Sequence, residues 1–594
     1  GCFESEQGEQ FYGRVVTPRA QEFRWSDGGL PRVFDPARAA APPDTDAVRA
    51  LYEGLTDYEP GSLRPVPAVA SRWESAEGGR HWTFHLREGA RWTNGDPVTA
   101  QDFARSWQRT LRLGERAPHA SLLSNIEGAP MLAAARPPGE VTATPPDEAA
   151  RTRAPQAPGR VAPAPRAAPP ATLGVVALDA RTLRVTLRRP DPNFPALVAH
   201  PVFRPVHELS PESDLTALRE EQRNERGGES RLGIVTNGAF SLARLAGDSV
   251  ELERADSYWD AASVTLERVR FVDSGDTEAA LAAYRAGEVD VVSNAAVEPL
   301  AVKLLTPYED FHRETFAALN YYRFNTARPP FDDLRVRRAL AYALDVSRLS
   351  ADTLGGATEP ADSFLPSLEE SAEGVKQTGK AGGETERPTH NVERARKLLE
   401  EAGYPGGVNF PRVRLLVNRN EQQRLVAQAV ARMWREALGV ETEVIVRPWE
   451  EYEAMLREGD YDVARRSLVM QTTDEETNML QLFGDPAADA QAAGAETAPQ
   501  ASPSAAPAPD GAESGGARAV ERAANFIFTE EQALKELPAI PLHFASSYAL
   551  VKPYVEGFES NLLDAPSLKH VRINTAWRTP TPEQSARLPR RPPR

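Results

Sequence analysis

Residues 391–447 constrain the fold strongly, because helix and strand patterns follow one another there with only short breaks. The stretch NVERARKLLEEAGYPGG predicts a helix with Asn391 as its N-cap and Gly403 at its end. The stretch EQQRLVAQAVARMWREALGV predicts a second amphipathic helix that ends at Gly439. ETEVIVRPW then predicts a strand, since it is rich in β-branched residues. Helix, glycine turn and strand build an α/β layer, so we expect an α/β fold.

The N-terminal third carries further strand patterns. TLRVTLRRP places Leu183, Val185 and Leu187 at every second position, and HWTFHLREGARW alternates in the same way. Both stretches are typical of strands with one buried face. REGARWTNGDPVTAQDF predicts a strand, a turn and a helix start at which Thr99 and Asp102 form a capping box.

The chain has 594 residues, which is too many for one hydrophobic core. Domains usually hold ~100–200 residues, so two to four packed units are expected. Four segments are polar or rich in proline and alanine and lack apolar periodicity, and we expect them to be solvated insertions or tails, with a partner-binding tether as the alternative. They are residues 136–172, 369–389, 487–516 and 578–594.

The composition excludes several classes of function. The net charge is −16, which argues against a nucleic-acid partner because phosphate binding needs a basic face. The sequence holds no HExxH motif, GxSxG motif or cysteine nucleophile, so we expect no enzyme. GVKQTGKA at 374–381 nearly matches a phosphate loop, but it lacks the preceding strand and the final hydroxyl. His81 and His85 lie too far apart on their strand to bind a metal without a third ligand, so no metal or other cofactor is expected.

The single cysteine, Cys2, follows Gly1. A small residue before a cysteine is the pattern at which a lipoprotein signal is cut, so the pair predicts lipidation of Cys2, with residues 1–13 as a tether. An incidental cysteine is the alternative. No run of about 18 apolar residues follows that would span a membrane.

Eight stretches, in order along nearly the whole chain, carry a family resemblance. They are LYEGLTDYEPGSLRPVPAVASRWE, WTFHLREGARWTNGDPVTAQDFARSWQRTL, TNGAFSLARL, LERADSYWD, YRAGEVDVV, YYRFNTARPPFDDLRVRRALAYALD, ARKLLEEAGYPGG and LPAIPLHFASSYALVKPYVEGFESN. Together they resemble the extracellular solute-binding proteins of the oligopeptide- and dipeptide-binding type (family 5), which are the capture subunits of ABC importers.

The resemblance implies an α/β, two-lobed periplasmic-binding-protein fold of type II, with an extra third domain and a hinge beside a ligand cleft. Two strands that cross between the lobes would form the hinge, and closure of the lobes would bury the ligand. The implied division is lobe I from residues 14–52, 207–319 and 541–577, the extra domain from residues 53–206, and lobe II from residues 320–540.

The resemblance also implies site residues. In peptide-binding members the ligand backbone is paired like an added strand, and an aspartate holds the free α-amine. Matched residue by residue, Asn294 falls on a cleft asparagine, Trp449 on a pocket tryptophan and Arg465 on the arginine that ends a strand. His119 replaces a pocket tyrosine.

The chain departs from the family where the α-amine is bound. Gln471 stands where the aspartate is expected, and a glutamine accepts a hydrogen bond from an ammonium without supplying a charge. Asp474, three residues further on, is the candidate replacement carboxylate.

Three functions therefore follow from the sequence. The first is a monomeric, lipid-anchored protein of the periplasm or outer membrane face that captures oligopeptides and delivers them to ABC permease subunits. The second is the same fold with a non-peptide solute, such as an oligosaccharide or an opine-like compound. The third is a sensory or structural lipoprotein whose site has been lost.

Overall fold

The computed structural model describes residues 10–130, 173–208, 210, 234–295, 297–367, 387–484 and 527–578. The expectations for Cys2, for segments 136–172 and 487–516 and for the phosphate-loop-like stretch 374–381 lie outside the described residues, as do most of 369–389 and 578–594. Within the described ranges, no helix has the length and apolar character needed to cross a membrane.

The regular elements are numbered in chain order. The strands are β1 Glu22–Asp27, β2 Thr56–Tyr58, β3 Pro65–Pro67, β4 Ala70–Ala76, β5 His81–Leu86, β6 Val175–Ala177, β7 Thr182–Thr186, β8 Phe240–Leu245, β9 Ser249–Arg254, β10 Arg268–Val272, β11 Val291–Ser293, β12 Phe311–Phe324, β13 Thr358–Pro360, β14 Val413–Asn418, β15 Thr442–Arg447, β16 Val463–Val469, β17 Ala539–Val551, β18 Val555–Glu556 and β19 Arg572–Ile573. The α-helices are α1 Asp44–Leu51, α2 Ala100–Leu113, α3 Phe194–Leu197, α4 Thr277–Ala286, α5 Pro299–Leu305, α6 Leu334–Tyr342, α7 Val346–Arg348, α8 Val392–Glu401, α9 Glu421–Leu438, α10 Trp449–Glu458, α11 Glu475–Phe483 and α12 Glu530–Glu536.

Two long antiparallel strands connect the two halves of the main sheet. β12 has 14 residues and β17 has 13, and they pair from Phe311 opposite Leu550 to Arg323 opposite Ala539. β16 of the second lobe pairs with β12, and β11 of the first lobe pairs with β17. The sheet therefore runs without a break from one lobe to the other, in the order β15-β14-β16-β12-β17-β11-β1-β10-β9-β8, with β13 on β17.

The α/β layer predicted in the second lobe is confirmed. α8 begins after Asn391, whose side-chain oxygen accepts a hydrogen bond from the backbone N–H of Arg394 at 3.0 Å. α9 ends at Gly439, which has a φ of 70° that favours glycine. β15 follows at once and pairs in parallel with β14. Helix, turn and strand thus form where the periodicity placed them.

The N-terminal predictions are confirmed as well. Leu183, Val185 and Leu187 are completely buried, and β7 pairs with β5 in a four-stranded antiparallel sheet of order β4-β5-β7-β6. At the start of α2, an oxygen of Asp102 accepts from the backbone N–H of Thr99 at 2.8 Å, which is half of a capping box.

The hydrophobic cores do not coincide with the three units expected from the sequence. One core joins lobe I to the extra domain, since it contains Trp25 from lobe I and both Trp92 and Phe203 from the extra domain. A separate core in lobe II contains Tyr322 and Trp434. The extra domain is therefore packed as one body with lobe I.

Arg337 tests the packing of lobe II. Arg337 is 8% exposed, and its guanidinium donates to the backbone carbonyls of Phe331, Asp332, Glu536 and Leu537 at 2.7–3.0 Å. Arg337→Met keeps most of the volume but removes every donor, so we expect a loss of about 3 kcal/mol in the unfolding free energy of lobe II.

Chemical denaturation followed by tryptophan fluorescence measures this loss. The matched control is Arg338→Met, because Arg338 is exposed there and makes one carbonyl contact at 3.2 Å. Equal losses for the two variants would contradict the role assigned to Arg337.

Candidate functional site

The carboxyl ends of the parallel strands β14 and β16 lie beside the crossing strand β12 in lobe II. Ligands of α/β proteins bind at such strand ends, because the loops and helix starts that follow the strands converge there. Arg465, on β16, is the charged residue predicted for this place.

The guanidinium of Arg465 is buried without a carboxylate partner. The residue is 6% exposed and donates from Nη2 to Asn320 Oδ1 at 2.7 Å, while its Nε has no hydrogen-bond partner in the described part of the chain. Across the described residues, no carboxylate lies within ion-pair distance of it. A buried cation without an opposite charge is costly, so this guanidinium is poised to bind an anion.

Two further polar atoms beside Arg465 lack partners. Tyr322 lies opposite Arg465 in the β12–β16 pairing, and His543 lies opposite Asn320 in the β12–β17 pairing. The Tyr322 hydroxyl and His543 Nδ1 are both buried, and neither forms a hydrogen bond with any described residue. Burial and the charge of Arg465 lower the pKa of His543 to about 4, so this imidazole is neutral at pH 7.

Trp449 starts α10, and its ring packs against Tyr452 with 5.5 Å between centroids. The Tyr452 hydroxyl donates to the backbone carbonyl of Arg465. The predicted residues Trp449 and Arg465 are therefore linked through Tyr452.

A hydrogen bond and a ring contact bring Gln471 and His119 together through His200, which the sequence did not single out. His200 Nδ1 accepts from the backbone N–H of Val202 at 3.1 Å, so its proton lies on Nε2, which is 3.3 Å from Gln471 Oε1. The rings of His119 and His200 are 4.9 Å apart, and His119 Nε2 donates to the carbonyl of Ala40 at 2.8 Å. Lobe II, the extra domain and lobe I are thus connected in one line.

Both histidines are held neutral. Burial lowers the pKa of His119, and burial together with repulsion from a protonated His119 and from Arg49 lowers the pKa of His200 well below its ordinary value. This part of the site offers neutral hydrogen-bonding groups to a ligand.

Asp474 caps a helix. Its Oδ1 accepts from the backbone N–H of Thr477 at 2.7 Å, so it is the N-cap of α11, and the residue is 4% exposed. The side chain lies in the same loop as Gln471, but one of its oxygens is already committed to the helix.

Asn294 lies in lobe I, apart from these residues. Its Nδ2 donates to Asp27 Oδ1 at 2.6 Å, at the carboxyl end of β1. Burial raises the pKa of Asp27 to about 6, and burial and the charge of Asp27 raise that of Asp46. Burial and the charge of Asp46 raise the pKa of Asp564 to about 6. Three carboxyl groups from separate parts of the chain therefore meet beside Asn294, and no local sequence motif predicts this cluster.

Within the ranges that the structure describes, no group of three or more histidine, cysteine or acidic residues is arranged to hold a metal ion.

The α/β fold with a sheet that continues between two lobes is that of a solute-binding protein, and comparison with known proteins agrees. Residues 64–490 match the model of the bacterial extracellular solute-binding proteins, family 5 (middle), and the chain belongs to this family. The α/β two-lobed fold expected from the sequence is confirmed.

Individual relatives cover most of the chain. The periplasmic oligopeptide-binding protein OppA of Escherichia coli is 27% identical over 551 residues, 92% of this chain and 91% of that protein. The probable deoxycholate-binding periplasmic protein YgiS of Escherichia coli is 30% identical over 461 residues, 76% of each chain. The unliganded open form of MppA, a periplasmic murein tripeptide-binding protein, superposes with a TM-score of 0.67 at 27% identity, covering 94% of this chain and 98% of that one.

Asp564 gives a pH-dependent test of the buried carboxyl groups. Its pKa in the folded protein, about 6, lies above the ordinary 3.8, so its ionisation opposes folding increasingly between pH 4 and 6 and fully above pH 6. We expect Asp564→Asn to raise the unfolding free energy by about 1–3 kcal/mol at pH 8 and to change little at pH 4.

The substitution preserves the backbone, because Asp564 has a φ of 50° and asparagine tolerates this region well. Unfolding curves at the two pH values measure the effect, with the exposed Asp256→Asn as control. An equal gain at pH 4 and pH 8 would show that the carboxyl charge is not responsible.

Proposed function

We propose that this protein captures oligopeptides in the cleft between its lobes, outside the cytoplasm, and delivers them to the permease subunits of an ABC importer. The observation that carries the proposal is Arg465, a buried guanidinium that no carboxylate of the described residues neutralises. Membership of the solute-binding family and the likeness to OppA support it.

The peptide carboxylate is the group that fits Arg465. A carboxylate and a guanidinium form charge-assisted hydrogen bonds, and in a closed cleft the pair would replace the missing counter-charge. The free Nε of Arg465 and the unpartnered Tyr322 hydroxyl are donors on the same face of the sheet. Trp449 would line a side-chain pocket beside them, since its ring is partly exposed next to Tyr452.

The amine end would lie at Gln471, where His119 and His200 also meet. Asp474 remains the candidate for a carboxylate here. Its Oδ1 accepts from Thr477 at the start of α11, so an ammonium would donate to its other oxygen. Asn294 would line the opposite side of the cleft in lobe I.

A non-peptide solute is the second candidate. The line of Gln471, His200 and His119 is uncharged, so it favours a neutral polar group as readily as an amine. The relative YgiS is named a probable deoxycholate-binding periplasmic protein, and this name supports a non-peptide solute as the second candidate.

Two further features complete the proposal. The protein would be a monomer with a lipid anchor on Cys2. It would lie in the periplasm or at the outer face of the membrane, a location that its periplasmic relatives support. It would bind and release its ligand without chemical change, because its family consists of binding proteins. A sensory or structural role with a lost site is the outcome if no peptide or solute binds.

Arg465→Met tests the carboxylate site. We expect the variant to bind tri- to hexapeptides with a free C-terminus about 100-fold more weakly, because one partner of a buried charge pair is removed. Isothermal titration calorimetry with matched peptides, acid against C-terminal amide, measures this. The wild type should prefer the acid, and the variant should bind both forms alike.

Arg466→Met is the control, because neighbouring strand residues point to opposite faces of the sheet. Undiminished binding of acid peptides by the Arg465 variant would overturn the site. Failure of every peptide to bind the wild type would favour the second candidate.

Gln471→Glu tests the amine end. If Gln471 alone receives the amine, the wild type should bind peptides with free and acetylated N-termini within about threefold, because Gln471 supplies no charge. The variant should favour the free amine by about tenfold or more, since a carboxylate in a closed cleft attracts an ammonium. Competition binding with paired peptides measures the ratio.

Asp474→Asn tests the alternative in which Asp474 is the carboxylate that binds the amine. Asparagine also caps helices, so α11 should persist in this variant. If this change alone removes a wild-type preference for the free amine, Asp474 is the amine carboxylate. An unchanged ratio in both variants would place the amine elsewhere.

A further inference from the structure

A small cavity, here called the junction cavity, lies where lobe I meets the extra domain. Its volume is about 30 Å³, which gives room for one or two particles of the size of water. Lobe I contributes the end of α1, the start of β8 and the segment around Lys569, and the extra domain contributes β2 and Arg204. None of the lining residues belongs to lobe II, so the junction cavity is separate from Arg465 and Gln471.

Three buried polar atoms of the lining residues have no hydrogen-bond partner among the described residues. They are Nε of Arg49, Nε of Arg204 and the hydroxyl of Tyr58. Arg204 is 2% exposed and Tyr58 is 6% exposed. Burial raises the pKa of Tyr58, so its hydroxyl keeps its proton at pH 7, and all three atoms can donate. Buried donors without acceptors are costly, so an acceptor is expected in the junction cavity.

Other contacts hold the two guanidiniums in place. Arg204 Nη1 donates to the backbone carbonyl of Arg49 at 2.9 Å and to that of Tyr52, and its Nη2 donates to Asp57 Oδ1 at 3.4 Å. Arg49 Nη1 donates to Asp46 Oδ1 at 2.6 Å, and Asp46 is not part of the lining. The terminal nitrogens thus anchor both side chains, while each Nε–H is left for another acceptor.

The two carboxylates of the lining already accept from other residues. Glu53 accepts from the Tyr258 hydroxyl and from Trp259 Nε1, the second at 2.6 Å. Asp57 Oδ2 accepts from Lys569 Nζ at 3.0 Å. These carboxylates therefore do not serve as acceptors for the free Nε–H groups.

Charge and hydrogen-bonding capacity favour an anion over water in the junction cavity. The lining carries the three cations Arg49, Arg204 and Lys569 against the two carboxylates Glu53 and Asp57. A water molecule that accepted from the free donors would need acceptors for its own hydrogens, and both carboxylates are engaged. A halide ion has no hydrogen to place and accepts from every donor, through hydrogen bonds that its charge strengthens.

We propose that the junction cavity is a binding site for a small inorganic anion, with chloride as its ligand. The Nε–H groups of Arg49 and Arg204 and the hydroxyl of Tyr58 donate to the ion. Arg49 lies on α1 of lobe I, and the other two residues belong to the extra domain. The ion therefore fastens the extra domain to lobe I beside the hydrophobic core that they share.

Bromide locates the ion directly, because its anomalous scattering distinguishes it from water. Crystals of the full chain soaked in sodium bromide should show an anomalous peak within hydrogen-bond distance of Arg49 Nε, Arg204 Nε and the Tyr58 hydroxyl. A junction cavity without such a peak would overturn the proposal. No peptide is present, so the result is independent of the proposed peptide binding.

Thermal unfolding tests the same site in solution. Sodium chloride is compared with sodium gluconate at equal ionic strength, because gluconate is too large for the junction cavity and the comparison cancels screening. An anion that binds only the folded chain raises Tm, and we expect a rise of about 2 °C or more at about 100 mM chloride. An equal Tm in the two salts would contradict the site.

Tyr58→Phe removes one donor without breaking any hydrogen bond to a described residue, so the variant should fold and have nearly the wild-type Tm in gluconate. Its affinity for chloride should fall about tenfold or more, because a hydrogen bond to a charged group is lost, and the rise in Tm should shrink accordingly. A full wild-type rise in this variant would count against the proposal.

Tyr322→Phe is the matched control, because it removes the other buried tyrosine hydroxyl that lacks a partner within the described ranges. It lies beside Arg465, the other candidate place for an anion, and should keep the rise that Tyr58→Phe loses. A chloride response that disappears in Tyr322→Phe and persists in Tyr58→Phe would place the ion at Arg465 and overturn the junction site.

Discussion

The pairing of β12 with β17 is the constraint on which the rest of the structure depends. These two strands are the backbone link by which the sheet of lobe I continues into the sheet of lobe II. Register shifts between Phe316 and Leu319 and between Asn320 and Tyr321 interrupt the ladder midway. Such irregularities bend and twist a strand pair locally, which suits a link between two bodies that change their angle. The same strands carry Asn320, Tyr322 and His543, so the link between the lobes and the proposed carboxylate site share these two strands.

The extra domain packs differently against the two lobes. It shares a hydrophobic core with lobe I, and Arg109 reinforces this by holding Asp35 with two hydrogen bonds. Its contact with lobe II is polar, through Arg189 and His200. Apolar burial makes one rigid body, while a few partly exposed polar contacts contribute little stability, so motion is expected between lobe II and the other two units. The ligand cleft and the polar contact are therefore governed by the same displacement.

Burial also explains the electrostatics of the site. Arg465 lies buried in lobe II with no carboxylate partner among the described residues, and Asp27, Asp46 and Asp564 meet in lobe I with Arg49 as a neighbouring cation. Both arrangements cost stability in the unliganded protein. Binding sites commonly retain such unbalanced groups, because a ligand of opposite charge gains most where water is excluded.

The sequence by itself determined the local elements and the family. Apolar periodicity and caps located α8, α9, β5, β7 and β15, because these signals depend on neighbours a few residues away. Matching to family positions also selected Arg465, Gln471 and His119. Only the tertiary structure showed that His200 joins the last two and that Asp474 is a helix cap. The contact between His200 and Gln471 links residues 271 positions apart, and a buried contact of that kind leaves no periodic trace in the chain, because it arises only when separate elements pack together.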